Sequence, residues 1–153
     1  MITQLKFHHH LIYANLFGAL LTKKITLAYQ DDRLPELIIP VPLHPSRLCE
    51  RGFNQALEIA KPISKKLHLT INTQTCTRRI NTLPQSLLPA SERKSNIQHA
   101  FALIKNTSAK HIALVDDVIT TGNTISELAN TFKKIGVEKV DVWCCARTTP
   151  ADS

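Results

Sequence analysis

Apolar residues recur at helical spacing near the start of the chain, where Leu5, Ile12, Tyr13, Leu16, Phe17, Leu20 and Leu21 outline one stripe. An amphipathic opening helix is therefore expected, with that stripe as its buried face. After a polar break at Gln30 to Arg33, Leu37-Ile38-Ile39-Pro40-Val41 reads as a short buried strand that ends at proline. A Pro-rich, basic stretch follows through Arg51. A second helix is expected from about Asn54 to Leu67, with Phe53, Ala56, Leu57, Ala60, Ile63 and Leu67 on one face and Pro62 kinking it or ending it early. From Thr70 to Ser95 the chain turns polar and loses its period, which predicts a long loop or a pair of exposed strands. Loops of that length inside compact domains are often functional. Ser91 to Lys94 can start a short helix, and Ala100 to Leu103 is a candidate strand.

The last third has the clearest pattern. Ile112 to Val115 is a buried-strand run, Thr124 to Ile135 has helical period with Ile125, Leu128, Ala129 and Phe132 on one face, and Val140 to Cys145 is again strand-like. Strand, helix and strand in that order make a βαβ unit, which implies a parallel sheet with a right-handed crossover. The expected class is thus α/β. At 153 residues, with 43% hydrophobic and 20% charged, the chain is read as one compact domain over residues 1–153 and not as a disordered or fibrous one.

Charge narrows the partner rather than the reaction. Nineteen Lys and Arg against twelve Asp and Glu leave +7, which suits phosphates or nucleic acid, though basic surfaces also serve solubility. No run approaches the length of a membrane span, since Leu11 to Leu21 is broken by Asn15 and Gly18, and no signal-peptide layout precedes it; a cytoplasmic location without membrane insertion is expected. Cys49, Cys76, Cys144 and Cys145 lack zinc-site spacing, so buried reduced thiols and no zinc in this chain are expected. His8, His9 and His10 diverge around a helix and cannot converge on one metal.

The chemistry concentrates in Val115-Asp116-Asp117-Val118-Ile119-Thr120-Thr121-Gly122-Asn123-Thr124, between a strand and a helix. Open α/β sheets bind ligands at the carboxyl ends of their strands, and a helix N-terminus presents unpaired N–H groups to a phosphate. Gly122 lets the phosphate approach the backbone, and the threonine hydroxyls add donors. Asp116 and Asp117 would be repelled by that phosphate, so they suit sugar hydroxyls or a hydrated cation. Each piece also has a plain structural reading: Thr124 with Glu127 has capping-box spacing, and an Asp pair can be turn chemistry. The order of the pieces favours a ribose-phosphate clamp, distinct from GxGxxG and Walker A loops because Gly122 stands alone and no Lys follows.

That segment resembles the phosphoribosyl pyrophosphate (PRPP) motif of type I phosphoribosyltransferases. The first half sharpens the resemblance. Ile39-Pro40-Val41-Pro42-Leu43-His44-Pro45-Ser46-Arg47 and Glu50-Arg51-Gly52-Phe53-Asn54-Gln55 are similar to the signature of the ComF competence family, which includes GntX-like proteins. Thr82-Leu83-Pro84-Gln85 and Arg93-x-x-Asn96 resemble further family elements. The resemblance implies a type I phosphoribosyltransferase fold, a mainly parallel central sheet flanked by helices. It implies ribose binding, with metal, at Asp116 and Asp117, and 5-phosphate binding at Val118, Ile119, Thr120, Thr121, Gly122, Asn123 and Thr124. A turn at Val41 and Pro42, with Arg47 and Arg51, would meet pyrophosphate through backbone donors and charge. Arg78, Gln85 and Arg93 are the candidate catalytic residues of a mobile loop over about 78–95.

The implied function is binding of PRPP or a related ribose phosphate with Mg²⁺, in DNA uptake during natural transformation, with single-stranded DNA and a competence helicase as partners. Two alternatives stay open: a non-catalytic single-stranded DNA-binding module, and a nucleobase salvage phosphoribosyltransferase. Whether the domain still catalyses transfer is also open. Family members usually carry an N-terminal four-cysteine zinc module, and this chain begins near where that module would end, so it is either truncated or a version without it. It also has Ile80 where an Arg often stands, and His99 where a Gly does.

Overall fold

Ile112, Ala113, Leu114 and Val115 are all fully buried, so the strand that carries them must be covered on both faces. A computed structural model, which describes residues 2–80 and 99–148 with side chains from Tyr13 onward, shows how. The elements in chain order are α1 (Ile2–Ala28), β1 (Leu37–Pro40), α2 (Pro45–Arg51), α3 (Gln55–Leu67), β2 (Thr70–Ile71), β3 (Cys76–Arg78), β4 (Phe101–Leu103), β5 (His111–Ile119), α4 (Asn123–Lys133) and β6 (Lys139–Arg147). Four parallel strands form the central sheet in the order β2-β1-β5-β6. β3 and β4 pair antiparallel in a separate two-stranded sheet.

Alternation along the strands sorts the core into two clusters. Ile39, Ile112 and Leu114 pack with Leu128, Phe132 and Val137 on the α4 side. Ile38, Ala113 and Val115 pack with Ala14, Ile59 and Ile63 on the side of α1 and α3. Residues one apart on a strand point to opposite faces, so a continuous apolar run is what a three-layer sandwich requires.

Two expectations need correction, and one element was not foreseen. The opening helix exists, yet Tyr13, Leu16, Phe17 and Leu20 are exposed, while Ala14, Gly18, Thr22 and Ile25 face the core. Close approach decides this: a Cβ on Gly18 would stand 2.2 Å from Pro62 Cγ and 2.8 Å from the Ile59 carbonyl oxygen, so only a small-residue face fits against α3. The Thr22 hydroxyl donates to the Gly18 carbonyl at 2.7 Å and so enters the contact satisfied. Secondly, Pro62 does not end α3, which continues to Leu67 and closes on left-handed His68 (φ 55°). Thirdly, the basic stretch after β1 contains a short helix, α2, capped by His44 and ended by left-handed Gly52. Of the polar region, β2 and β3 are strands; the proposed short helix at Ser91 to Lys94 lies outside the described residues.

Candidate functional site

β5 runs on for four residues past its fully buried segment, carrying Asp116 and Asp117 to the carboxyl edge of the sheet. Val118 and Ile119 still belong to this strand, paired with Ala146 and Arg147 of β6, so the turn proper is Thr120-Thr121-Gly122. The turn between strand and helix is therefore shorter than the sequence suggested. Gly122 is left-handed (φ 78°, ψ −3°) and is the N-cap of α4 without any side-chain cap. The capping box expected from Thr124 and Glu127 does not form, because the N-cap is Gly122 and Thr124 lies inside the first turn; Glu127 accepts from the backbone N–H of His99 at 2.9 Å. α4 thus starts on a glycine with no capping side chain of its own, and a helix N-terminus of this kind turns its first backbone N–H groups toward an anion.

The acid pair is tied to its own backbone. Asp117 N–H donates to Asp116 Oδ1 at 2.9 Å, and Val118 N–H donates to Asp117 Oδ1 at 2.7 Å. Burial, then the neighbouring Asp117 charge, pushes the Asp116 carboxyl up to about 7, against partial relief from the Arg78 guanidinium. Two carboxylates held this close in a half-buried edge favour a cation or a hydroxyl donor beside them. The donor set therefore fits a hydrated divalent cation; among the described residues no group of three or more His, Cys, Asp and Glu side chains gathers into a metal cage.

β1 ends beside this point: Val41 N–H donates to the Val115 carbonyl at 2.9 Å. Its donor is spent there, and Pro42 has none, so Val41 and Pro42 cannot offer backbone N–H groups to a pyrophosphate. Donors in that turn begin at Leu43. Asn54 holds the turn, since its Nδ2 donates to the Val41 carbonyl at 3.0 Å while its Oδ1 accepts from the N–H groups of Ala56 and Leu57 that open α3. Sequence reading passed over Asn54 as a site residue, although an Asn immediately before a helical stripe is an N-cap signal.

Arg78 on β3 comes to the same place from a different part of the chain. Its guanidinium carbon lies 5.7 Å from the Phe101 ring centroid, and burial lowers its pKa, opposed by Asp116 and aided by the nearby charge of Arg47. Arg47 on α2 lies 3.7 Å from Glu50. Asp116, Arg78 and Arg47 are thus electrostatic neighbours contributed by β5, β3 and α2. Arg51 is exposed at the end of α2 and donates to Gln55 Oε1 at 3.2 Å. Asn123 and Thr124 form the first turn of α4. Gln85 and Arg93, with most of the loop over 78–95, lie outside the described residues.

The thiols divide. Cys76 is buried and its pKa is raised to about 11 by desolvation, Cys144 and Cys145 are half-buried, and Cys49 is exposed on α2, contrary to expectation. No helix among the described residues is long and apolar enough to cross a membrane.

No protein-family model matches the chain. It is 37% identical over 150 residues to the DNA utilization protein YhgH of Shigella flexneri, covering 97% of this chain and 66% of that protein. It is 40% identical over 119 residues to competence protein F of Haemophilus influenzae, covering 75% of this chain and 52% of that protein. The chain thus spans about two thirds or less of the length of these curated relatives. Among solved structures, an alanine mutant from an analysis of an invariant aspartic acid in HPRTs aligns with TM-score 0.52 at 11% identity, over 92% of this chain and 80% of that one. A mutant hypoxanthine phosphoribosyltransferase of Trypanosoma cruzi, complexed with the product IMP, aligns with TM-score 0.50 at 10% identity, over 90% and 74%. The architecture is accordingly the type I phosphoribosyltransferase fold.

Proposed function

The chain belongs to the ComF family of competence and DNA utilization proteins, and from that premise we propose that it binds PRPP or a related ribose phosphate, with Mg²⁺, in DNA uptake during natural transformation. The observation that carries this reading is the juxtaposition at the end of β5. A half-buried carboxyl pair near the end of β5 is followed by a left-handed glycine at the start of α4, and Arg78 and Arg47 stand on the acidic side.

In this reading the two ends of the ligand sort by charge. The 5-phosphate sits on the Thr120 to Gly122 turn and the first N–H groups of α4, where donors converge and no carboxylate repels it. Asp116 and Asp117 accept from the ribose hydroxyls, and Arg47 and Arg78 face the pyrophosphate, with donors from Leu43 onward. Mg²⁺, when bound beside the acid pair, would neutralise part of the pyrophosphate charge. Breaking the bond from C1 to pyrophosphate builds positive charge on the sugar, which carboxylates holding the ribose hydroxyls would stabilise. The contribution of the protein is positioning and electrostatics, with no covalent nucleophile needed.

Calorimetric titration with PRPP and Mg²⁺ tests the reading. Binding is expected for the unaltered protein, with a loss of at least about a hundredfold on replacing Asp116 and Asp117 together by Ala. No binding by the unaltered protein at millimolar ligand would overturn it. A nucleobase salvage role requires pyrophosphate release on addition of one particular base, which the same samples can report.

A further inference from the structure

The exposed side of α1 is unusual. Tyr13 is 54% exposed, Leu16 53%, Phe17 42%, Leu20 50% and Leu27 64%, while the core-facing residues of the same helix are Ala14, Gly18, Thr22 and Ile25. At about 100° per residue these are two separate stripes, their centres roughly 150° apart around the helix. A helix needs one such stripe to join its own fold, and α1 has met that need through Gly18 against Pro62. The second stripe is larger in side-chain volume than the first and faces solvent.

We propose that this stripe is a self-association surface, on which α1 of one copy packs antiparallel against α1 of a second copy, crossing at Leu20. Area argues for a partner of this size. Five large side chains at about half exposure offer on the order of 500 Å² of apolar surface, which matches the roughly 65% apolar share of the about 800 Å² that each partner brings to a standard homodimer interface. Charge sets the direction. Lys24 lies within the stripe and is exposed, so parallel pairing would set Lys24 against its own copy. Antiparallel pairing about Leu20 places Lys24 over Leu16 of the other copy, where its methylene stem covers apolar surface and its ammonium stays in water. The same register sets Tyr13 against Leu27, so the ends of the stripe meet each other. The surface lies on the helix layer, leaving the carboxyl edge of the sheet open.

Sedimentation of the full chain over a range of concentrations tests this. A monomer–dimer equilibrium is expected, and replacing Leu16 and Leu20 together by Glu should weaken it at least about a hundredfold, with an unchanged melting curve at concentrations where the unaltered protein is also monomeric, because neither residue is in the core. A monomer at all concentrations, or a dimer indifferent to Leu16→Glu with Leu20→Glu, would overturn the proposal. Should the double variant fail to fold, Leu20→Cys in a Cys49→Ser background provides a second reading. A covalent dimer on mild oxidation is expected because position 20 lies at the crossing, and failure to cross-link while the dimer persists would overturn it.

Discussion

Two glycines divide this molecule. A Cβ on Gly18 would collide with Pro62 and the Ile59 carbonyl of α3, whereas a Cβ on Gly122 would meet only Ile119 Cγ2 at 4.0 Å. Gly18 is helical and is there for lack of volume; Gly122 is left-handed and is there for its backbone, at the start of α4. The α1–α3 layer is built on a contact too tight for even one added methyl group at Gly18. The edge at the end of β5 keeps polar groups together that would be more stable apart, which a fold tolerates where a ligand is to be held.

Substitutions should separate the two regions. Gly18→Val is expected to cost about 3 kcal/mol in urea denaturation, because overpacking must move backbone and not only a flexible side-chain end. Surviving Gly18→Val protein should bind ligand as before. An effect on affinity without one on stability would dissolve the distinction.

Next in size is the acid pair. The folded Asp116 carboxyl sits at about 7 against 3.8 for the free side chain, so the folded state binds the extra proton between those values. Stability linked to this group is therefore present at low pH and lost as pH rises through about 7. Ligand-free protein should lose about 2 kcal/mol between pH 5 and pH 8, after allowance for coupling to Asp117, and Asp116→Asn should flatten that slope. Thermal melts across that range check it.

A smaller effect is expected for Gly122→Ala. Open space removes any clash, leaving about 1 kcal/mol of left-handed strain, together with a weaker phosphate contact read by calorimetry. The smallest is His68→Gly at the end of α3. His68 is exposed at φ 55°, and glycine there should stabilise by about 0.5 kcal/mol, with no change in binding.

Much of the second region could be read from the chain. The run from Ile112 to Val115, the Asp pair, the threonine–glycine turn and the stripe of α4 are contiguous, so period and order place them without long-range knowledge. Even there the limits moved: Val118 and Ile119 remained in β5 because β6 pairs with them, and α4 began at Gly122, which left Thr124 inside the helix and not at its cap. The helix layer was less legible. α1 is apolar on two sides, and period alone cannot say which side faces inward; bulk pointed to Tyr13 and Phe17, and the answer was Ala14 and Gly18. Pro62 looked like a helix terminator and proved to be a contact surface.

By itself, then, the sequence determined an α/β chain with a βαβ unit, the motif at its strand end and the family to which it belongs, since these depend on residues near one another in the chain. Only the tertiary structure decided what depends on distant residues meeting. It turned the small face of α1 inward, spent the Val41 N–H on Val115, paired Arg51 with Gln55, and brought Arg47 and Arg78 from separate elements to the charge of Asp116. Packing and pairing compete for the same groups, and which partner wins is fixed when the layers close.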